Sequence, residues 1–394
     1  MKVKFSNIFY IVILGMLCAF PPMCTDIYLP ALPDISQHFK SDPSLVQLSL
    51  TASLLGLAIG QVIIGPISDS YGRRKPLLLS LVFFAITSFL CAQANDIYEL
   101  IVFRLFQGLS ASGGVVLSRS IACDKFKGAS LAQFMSLLMA INSIAPILGP
   151  IMGSFIITFL SWEYIFYFLT IWGILLAACS FADIPESHFP NANEKRVFKS
   201  IINMLKELTN IRFLFFVISL SLVMGAFFSY LSASPFVFQV IYGYTPLQFS
   251  LGFGLIAAFI SVSALFAGRL VSRMGEVAVA YGAYLVMLVA AVVILACAIL
   301  EPESSIILYI ALMIFFGMMG AVNTAGFSIV MESRRGGAGA ASGIFGVTTY
   351  IFGAMTSPLM GIMGEHSMIP LGVSIFVCTL LAIITFKVGL NIKK

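Results

Sequence analysis

Twelve apolar runs follow one another along this chain, each about as long as a helix must be to cross a bilayer. Their approximate limits are 8–29, 45–65, 77–94, 98–121, 131–157, 163–183, 211–236, 247–268, 277–299, 305–331, 338–363 and 367–388. The runs are continuous rather than alternating. Backbone groups in hydrocarbon must bond within their own segment, so such runs predict helices and not barrel strands. With 60% hydrophobic and 10% charged residues and a mean hydropathy of +1.03, no stretch is left for a soluble domain. The expected fold is therefore an all-α membrane protein with twelve transmembrane helices. Lys2 and Lys4 precede the first run, but no small-residue cleavage site follows it, so that run is expected to remain as a span.

The cations set the orientation. With the N-terminus inside, twenty of the 22 Lys and Arg residues fall in inner connections or at the inner ends of the runs; Lys40 is the outer exception and Arg104 lies well within a span. The outer connections instead carry Asp34, Asp42, Asp96, Glu99, Glu163, Glu301, Glu303 and Glu365. This bias predicts cytoplasmic termini. It also makes the net charge of +5 a topology signal rather than a nucleic-acid surface. The longest polar connection divides the runs six and six. It separates a first half (1–184), a cytoplasmic linker (185–212) and a second half (213–394).

Between the second and third runs lies GPISDSYGRRKP, Gly65 to Pro76. It predicts a tight polar hairpin. Gly65 and Gly72 permit close approach or unusual dihedrals, Pro76 suits the first turn of the next helix, and Asp69 can bind a guanidinium or a helix N-terminus. The second half holds a weaker copy, Gly268 to Gly275, 203 residues on, with Ser272 where the first has Asp69. The pair Gly149-Pro150 with Gly153 is matched by Ser357-Pro358 with Gly361 at an offset of 208. Two six-helix halves related as parallel repeats follow from these spacings.

G-x-x-x-D-x-x-G-R-R-K, spanning Gly65, Asp69, Gly72, Arg73 and Arg74, resembles the loop signature between helices 2 and 3 of the major facilitator superfamily. Arg104, Gln107 and Gly108 resemble the R-x-x-Q-G signature of its fourth helix. Pro146, Gly149, Pro150 and Gly153 look like the Gly-Pro signature of its antiporters, read physically as a kinked, closely packed helix. Thr25, Asp26, Tyr28, Pro30 and Pro33 resemble the Bcr/CflA drug-resistance subfamily. The resemblance implies the major facilitator fold and a proton-coupled, alternating-access efflux pump for small lipophilic or cationic compounds, in the inner membrane of a bacterium. It implies no cofactor beyond the coupling protons, and a monomer is expected. Export of one specific metabolite, a siderophore or an amino-acid derivative, is the alternative.

Ionisable groups inside a span are costly and face a cavity or a partner. Asp26 lies near the outer end of run one. Arg104 lies about 9 Å below the outer face at 1.5 Å per residue. They are expected to carry proton coupling, paired directly, through water or through Gln107. Tyr28, Gln107, Met139, Asn142, Tyr230, Asn323 and Tyr350 are the further substrate-contact candidates. Gly65, Asp69, Gly72, Arg73, Arg74, Pro146, Gly149 and Pro150 are the gating candidates.

Other classes lack their signatures. There is no Walker A loop, no H-E-x-x-H cluster, and no C-x-x-C or Cys/His metal spacing among the seven cysteines and three histidines. The chain reads as a transporter, not an enzyme or a metal protein.

Overall fold

A computed structural model of the chain describes residues 8–189, 207–335 and 338–392. Among the described residues there are helices and no strands. In chain order they are α1 (Ile8–Cys18), α2 (Phe20–Asp26), α3 (Leu32–Phe39), α4 (Pro43–Tyr71), α5 (Arg74–Ala92), α6 (Ile97–Lys125), α7 (Gly128–Phe159) and α8 (Glu163–Asp183). After the linker come α9 (Ile211–Pro235), α10 (Pro246–Met274), α11 (Glu276–Leu300), α12 (Ile306–Ser333), α13 (Ala338–Thr356) and α14 (Ile369–Asn391). Each of the twelve apolar runs is helical. Among the described residues ten helices have the length and hydropathy of a span, and α1 with the α2–α3 stretch, bent by 49°, makes an eleventh. Helix α13, extended by the 3-10 turn Ser357–Gly361, supplies the remaining run.

The first run is broken, because Pro21 sits in the first turn of α2 and a 3-10 turn at Leu29–Ala31 precedes α3. One local expectation changes. The hairpin expected across Gly65 to Pro76 is mostly helix. Helix α4 continues through Pro66 to Tyr71, so the turn is only Gly72 and Arg73. Pro66 removes a single backbone donor, which a membrane helix tolerates. What stops α4 is Gly72, whose φ of +86° only glycine adopts without strain.

Helix faces are sorted as lipid requires. Helix α5 exposes Leu79, Phe83, Ile86 and Phe89 while burying Ser80 and Ser88. With lipid outside, small and polar residues mark the packed side. At the α4–α6 crossing, a Cβ on Gly56 would run into the Leu105 backbone, and one on Gly108 into that of Ser53.

The helices form two compact units. The first comprises described residues up to Tyr28 and from Ala52 to 189; the second comprises 29–51 and the described residues from 207 onward. Within the second unit, Gln239 donates to the Pro30 carbonyl at 3.1 Å and Gln47 to the Ser232 carbonyl at 3.3 Å. Ser36 donates to Glu365 at 2.6 Å. Residues 29–51, early in the chain, are thus held by side chains and carbonyls far along it.

Candidate functional site

Helix α6 starts at Asp96, whose side chain accepts from the Glu99 N–H, and carries Arg104 and Gln107 on one face, three residues apart. Both are fully buried. Arg104 Nη1 donates to Gln107 Oε1 at 2.6 Å and to the Cys24 carbonyl at 3.1 Å. Gln107 Nε2 in turn donates to Ser88 Oγ at 2.7 Å. The guanidinium lies over the Tyr28 ring, 4.6 Å from its centroid, and 5.8 Å from that of Phe166. Its Nε and Nη2 are buried and make no hydrogen bond among the described residues.

Asp26 is also buried, but it is not the partner of Arg104. No ion pair joins them among the described residues. Cys24 and Tyr28 are four residues apart and share the face toward Arg104. Asp26 turns instead toward α7, where a Cβ on Gly149 would sit 3.4 Å from its own Cβ. The Thr25 hydroxyl lies 2.8 Å from Asp26 Oδ1 and 3.1 Å from the Pro21 carbonyl. At Gly153 any side chain would meet the Ile27 carbonyl, so the Gly-Pro helix is packed directly on the backbone around Asp26. Of the three routes expected between Asp26 and Arg104, the direct pair is absent. Gln107 binds Arg104, with no bond from Asp26 to complete the bridge.

The unmatched guanidinium is the chemical centre of this unit. A buried charge without a counter-ion is disfavoured by several kcal/mol in order of magnitude. The two aromatic faces return about 0.5–2 kcal/mol each. The remainder leaves unsatisfied donors that any carboxylate within reach would satisfy.

A second cluster lies at the turn after α4. Arg73, buried, donates from Nε to Asp124 Oδ2 at 3.0 Å, from Nη1 to Ser68 Oγ at 2.6 Å, and also from Nη1 to Asp69. Glu186 accepts the Arg73 N–H at 2.7 Å and the Arg74 N–H at 3.1 Å, and a Cβ on Gly72 would come within 2.5 Å of it. Burial works against the Glu186 carboxylate, but the N–H groups of Arg73, His188, Arg74 and Ser187 outweigh it and hold its carboxyl below the ordinary range. Ser187 donates to Asp124 at 3.0 Å. Arg74 donates to the Phe181 carbonyl at 2.6 Å, pinning the turn to the end of α8.

The remaining candidates are spread out. In the first unit Gly65 meets only Val116, Asn142 is half-buried, Pro146 and Pro150 lie inside α7, and the Met139 side chain is outside the described residues. In the second unit Tyr230 stacks on Phe253 at 5.6 Å and tilts on Phe316 at 4.7 Å. Asn323 reaches Met224 Sδ at 3.7 Å, and Tyr350 lies 5.9 Å from Phe228. Sequence reasoning passed over Asp124 and Glu186. Their signals were a lone acid amid Arg119, Lys125 and Lys127, and an acid straight after Pro185 at the end of run six. Ser88 and Phe166 carried no one-dimensional signal.

Comparison with known proteins accords with this architecture. Residues 12–358 match the family profile described as Major Facilitator Superfamily. A relative from Bacillus subtilis (strain 168), the uncharacterized MFS-type transporter YdgK, is 36% identical over 95% of this chain and 93% of its own. The bicyclomycin resistance protein homolog of Haemophilus influenzae is 26% identical over 97% of this chain and 96% of its own. Among solved structures, a bacterial homolog of the human lysosomal transporter Spinster, inward-facing and occupied, superposes with a TM-score of 0.76 at 14% identity, covering 98% of this chain and 97% of that one.

Proposed function

The chain belongs to the Major Facilitator Superfamily, and from that premise we propose that it exports small lipophilic or cationic compounds in exchange for protons, by alternating access. It sits in the inner membrane of a bacterium, as a monomer with both termini in the cytoplasm. The likeness to a bicyclomycin resistance protein homolog supports the substrate class. The observation that carries the proton coupling is the buried Arg104 with unmatched donors, held two residues to either side of a buried Asp26.

Deprotonated Asp26 is the acceptor that the Arg104 donors lack, and it is also the anion that a cationic substrate seeks. A proton arriving from outside neutralises it. Arg104 then keeps to the Cys24 carbonyl, Gln107 and the Tyr28 ring, and the substrate loses its counter-charge. Proton and substrate occupy Asp26 in turn, which is antiport. Arg104 stays charged throughout, since a guanidinium does not give up its proton in this range. Asp69, Arg73 and Asp124 serve as the inner gate, and the Gly-Pro packing of α7 on Ile27 keeps the pathway tight.

The test is proton release from detergent-solubilised protein on addition of a lipophilic cation, across pH 6 to 9. The parent releases protons and Asp26→Asn does not. Equal release from both would transfer the role to another group, and Asp34 would be examined next.

A further inference from the structure

The second copy of the turn motif is built with different charges. At the repeat offset of 203, Arg269 and Arg273 stand where the first copy has Pro66 and Ser70, and Ser272 stands for Asp69. In the first unit the arginine of the turn is locked by Asp69 and Asp124. In the second, Ser272 Oγ turns back to the Arg269 carbonyl at 2.7 Å. Neither Arg269 nor Arg273 makes an ion pair or a side-chain hydrogen bond among the described residues. Arg269 only lies over Phe266, 5.9 Å from the ring centroid. The nearby acid Glu276 is engaged by the Ser328 hydroxyl at 2.6 Å.

Arg269 and Arg273 are four residues apart on α10 and so share one face. That face opens on a cavity of about 610 Å³ formed by α10, α11 and α12. Phe266, Leu270 and Met274 line it from α10, Gly282 and Val286 from α11, and Met318 from α12. Phe266 and Met274 are well exposed, and nothing lies within 4 Å of where a Gly282 Cβ would be. The result is an apolar groove with two unmatched guanidinium groups at its rim. Positive-inside topology by itself accounts for the cations but not for the cavity beneath them.

We propose that this groove is a binding site for one anionic phospholipid, with an acyl chain between α10 and α11 and its phosphate held by Arg269 and Arg273. The charge selects an anionic head group. A zwitterionic lipid would bring its own ammonium to a site already holding two cations. Guanidinium groups suit phosphate oxygens in geometry as well as charge.

The experiment is native mass spectrometry of the full chain in detergent, titrated with phosphatidylglycerol and, separately, with phosphatidylcholine of the same acyl chains. The parent retains one phosphatidylglycerol, and prefers it to phosphatidylcholine. Arg269→Gln with Arg273→Gln weakens that retention about 30-fold, taking each interfacial cation at its usual worth. Arg269→Lys with Arg273→Lys stays within a few-fold of the parent. Gly282→Leu, which fills the groove and leaves both arginines, also loses the lipid, and glycerol phosphate does not compete for it. Equal retention of the two lipids by the parent overturns the proposal. So does a Gly282→Leu variant, or a double Gln variant, that binds phosphatidylglycerol as the parent does. If the double Gln variant does not fold, the parent's own lipid preference and Gly282→Leu decide the matter.

Discussion

Gln107→Glu separates stability from transport at the buried centre. In the parent, Gln107 accepts from Arg104 at 2.6 Å and donates to Ser88 at 2.7 Å. Glutamate has nearly the same shape and places a carboxylate against the guanidinium. The Ser88 hydroxyl can rotate and donate to it, so no buried group is orphaned. The parent bond is already charge-assisted by the guanidinium, at about 1.5–3 kcal/mol. A carboxylate acceptor adds Coulomb attraction, about 4 kcal/mol at 4 Å and an effective dielectric of 20, and its desolvation takes back part of that, so the exchange should stabilise the fold by about 1–2 kcal/mol. The same 1–2 kcal/mol holds Arg104 away from Asp26, lowering the fraction free to answer it about 5- to 30-fold. The expected outcome is a higher melting temperature for purified protein together with a fall of that size in proton-driven efflux. Efflux is measured by substrate retention in cells lacking their own pumps, with and without a protonophore. A variant that is more stable and pumps as well as the parent would refute the view that Arg104 must respond to Asp26.

Four further outcomes follow from the inner cluster and the charge map. Asp69→Asn leaves Arg73 with Asp124 as its one carboxylate partner among the described residues and should raise labelling from the cytoplasmic side, abolishing transport while substrate still binds; unchanged labelling refutes the gate. Glu186 has a lowered folded pKa, so its contribution is full above the unfolded value, near 4.3, and is lost as pH falls through the folded one. Glu186→Gln should therefore flatten the acid limb of a thermal-stability profile, and Gly72→Ala should destabilise by at least about 1–2 kcal/mol, through its positive φ and through a methyl forced against the Glu186 carboxylate. A reporter active only in the periplasm, fused after Lys394, should be silent; robust activity there contradicts the twelve-span topology.

Much of this architecture is one-dimensional information. A span is recognised from the transfer of some twenty consecutive side chains into hydrocarbon, so the runs could be located without knowing any neighbour. The cation bias is likewise a property of each connection taken singly. Asp26 and Arg104 stood out because a charge within an apolar run is anomalous wherever that run packs. The repeat showed itself in two motif pairs at nearly equal offsets.

What tertiary structure decided was direction and partnership. Whether Asp26 faces Arg104 or Gly149 depends on the rotation of a short helix set by the break at Ala19 and Pro21, and no residue count conveys that angle. A guanidinium was one of two partners expected for Asp69, and Arg73 four residues away supplies it; yet the other acid on Arg73, Asp124, is 51 residues on, and the carboxylate binding its N–H is Glu186. Serines such as Ser88 gain a role only through what they meet, since a small polar residue is common on packed helix faces in lipid. Residues 29–51 belong to the early chain by order but take hydrogen bonds from Gln239 and to Ser232 and Glu365. Hydropathy acts residue by residue, whereas a hydrogen bond requires two groups to arrive at about 3 Å, and only the folded chain brings them there.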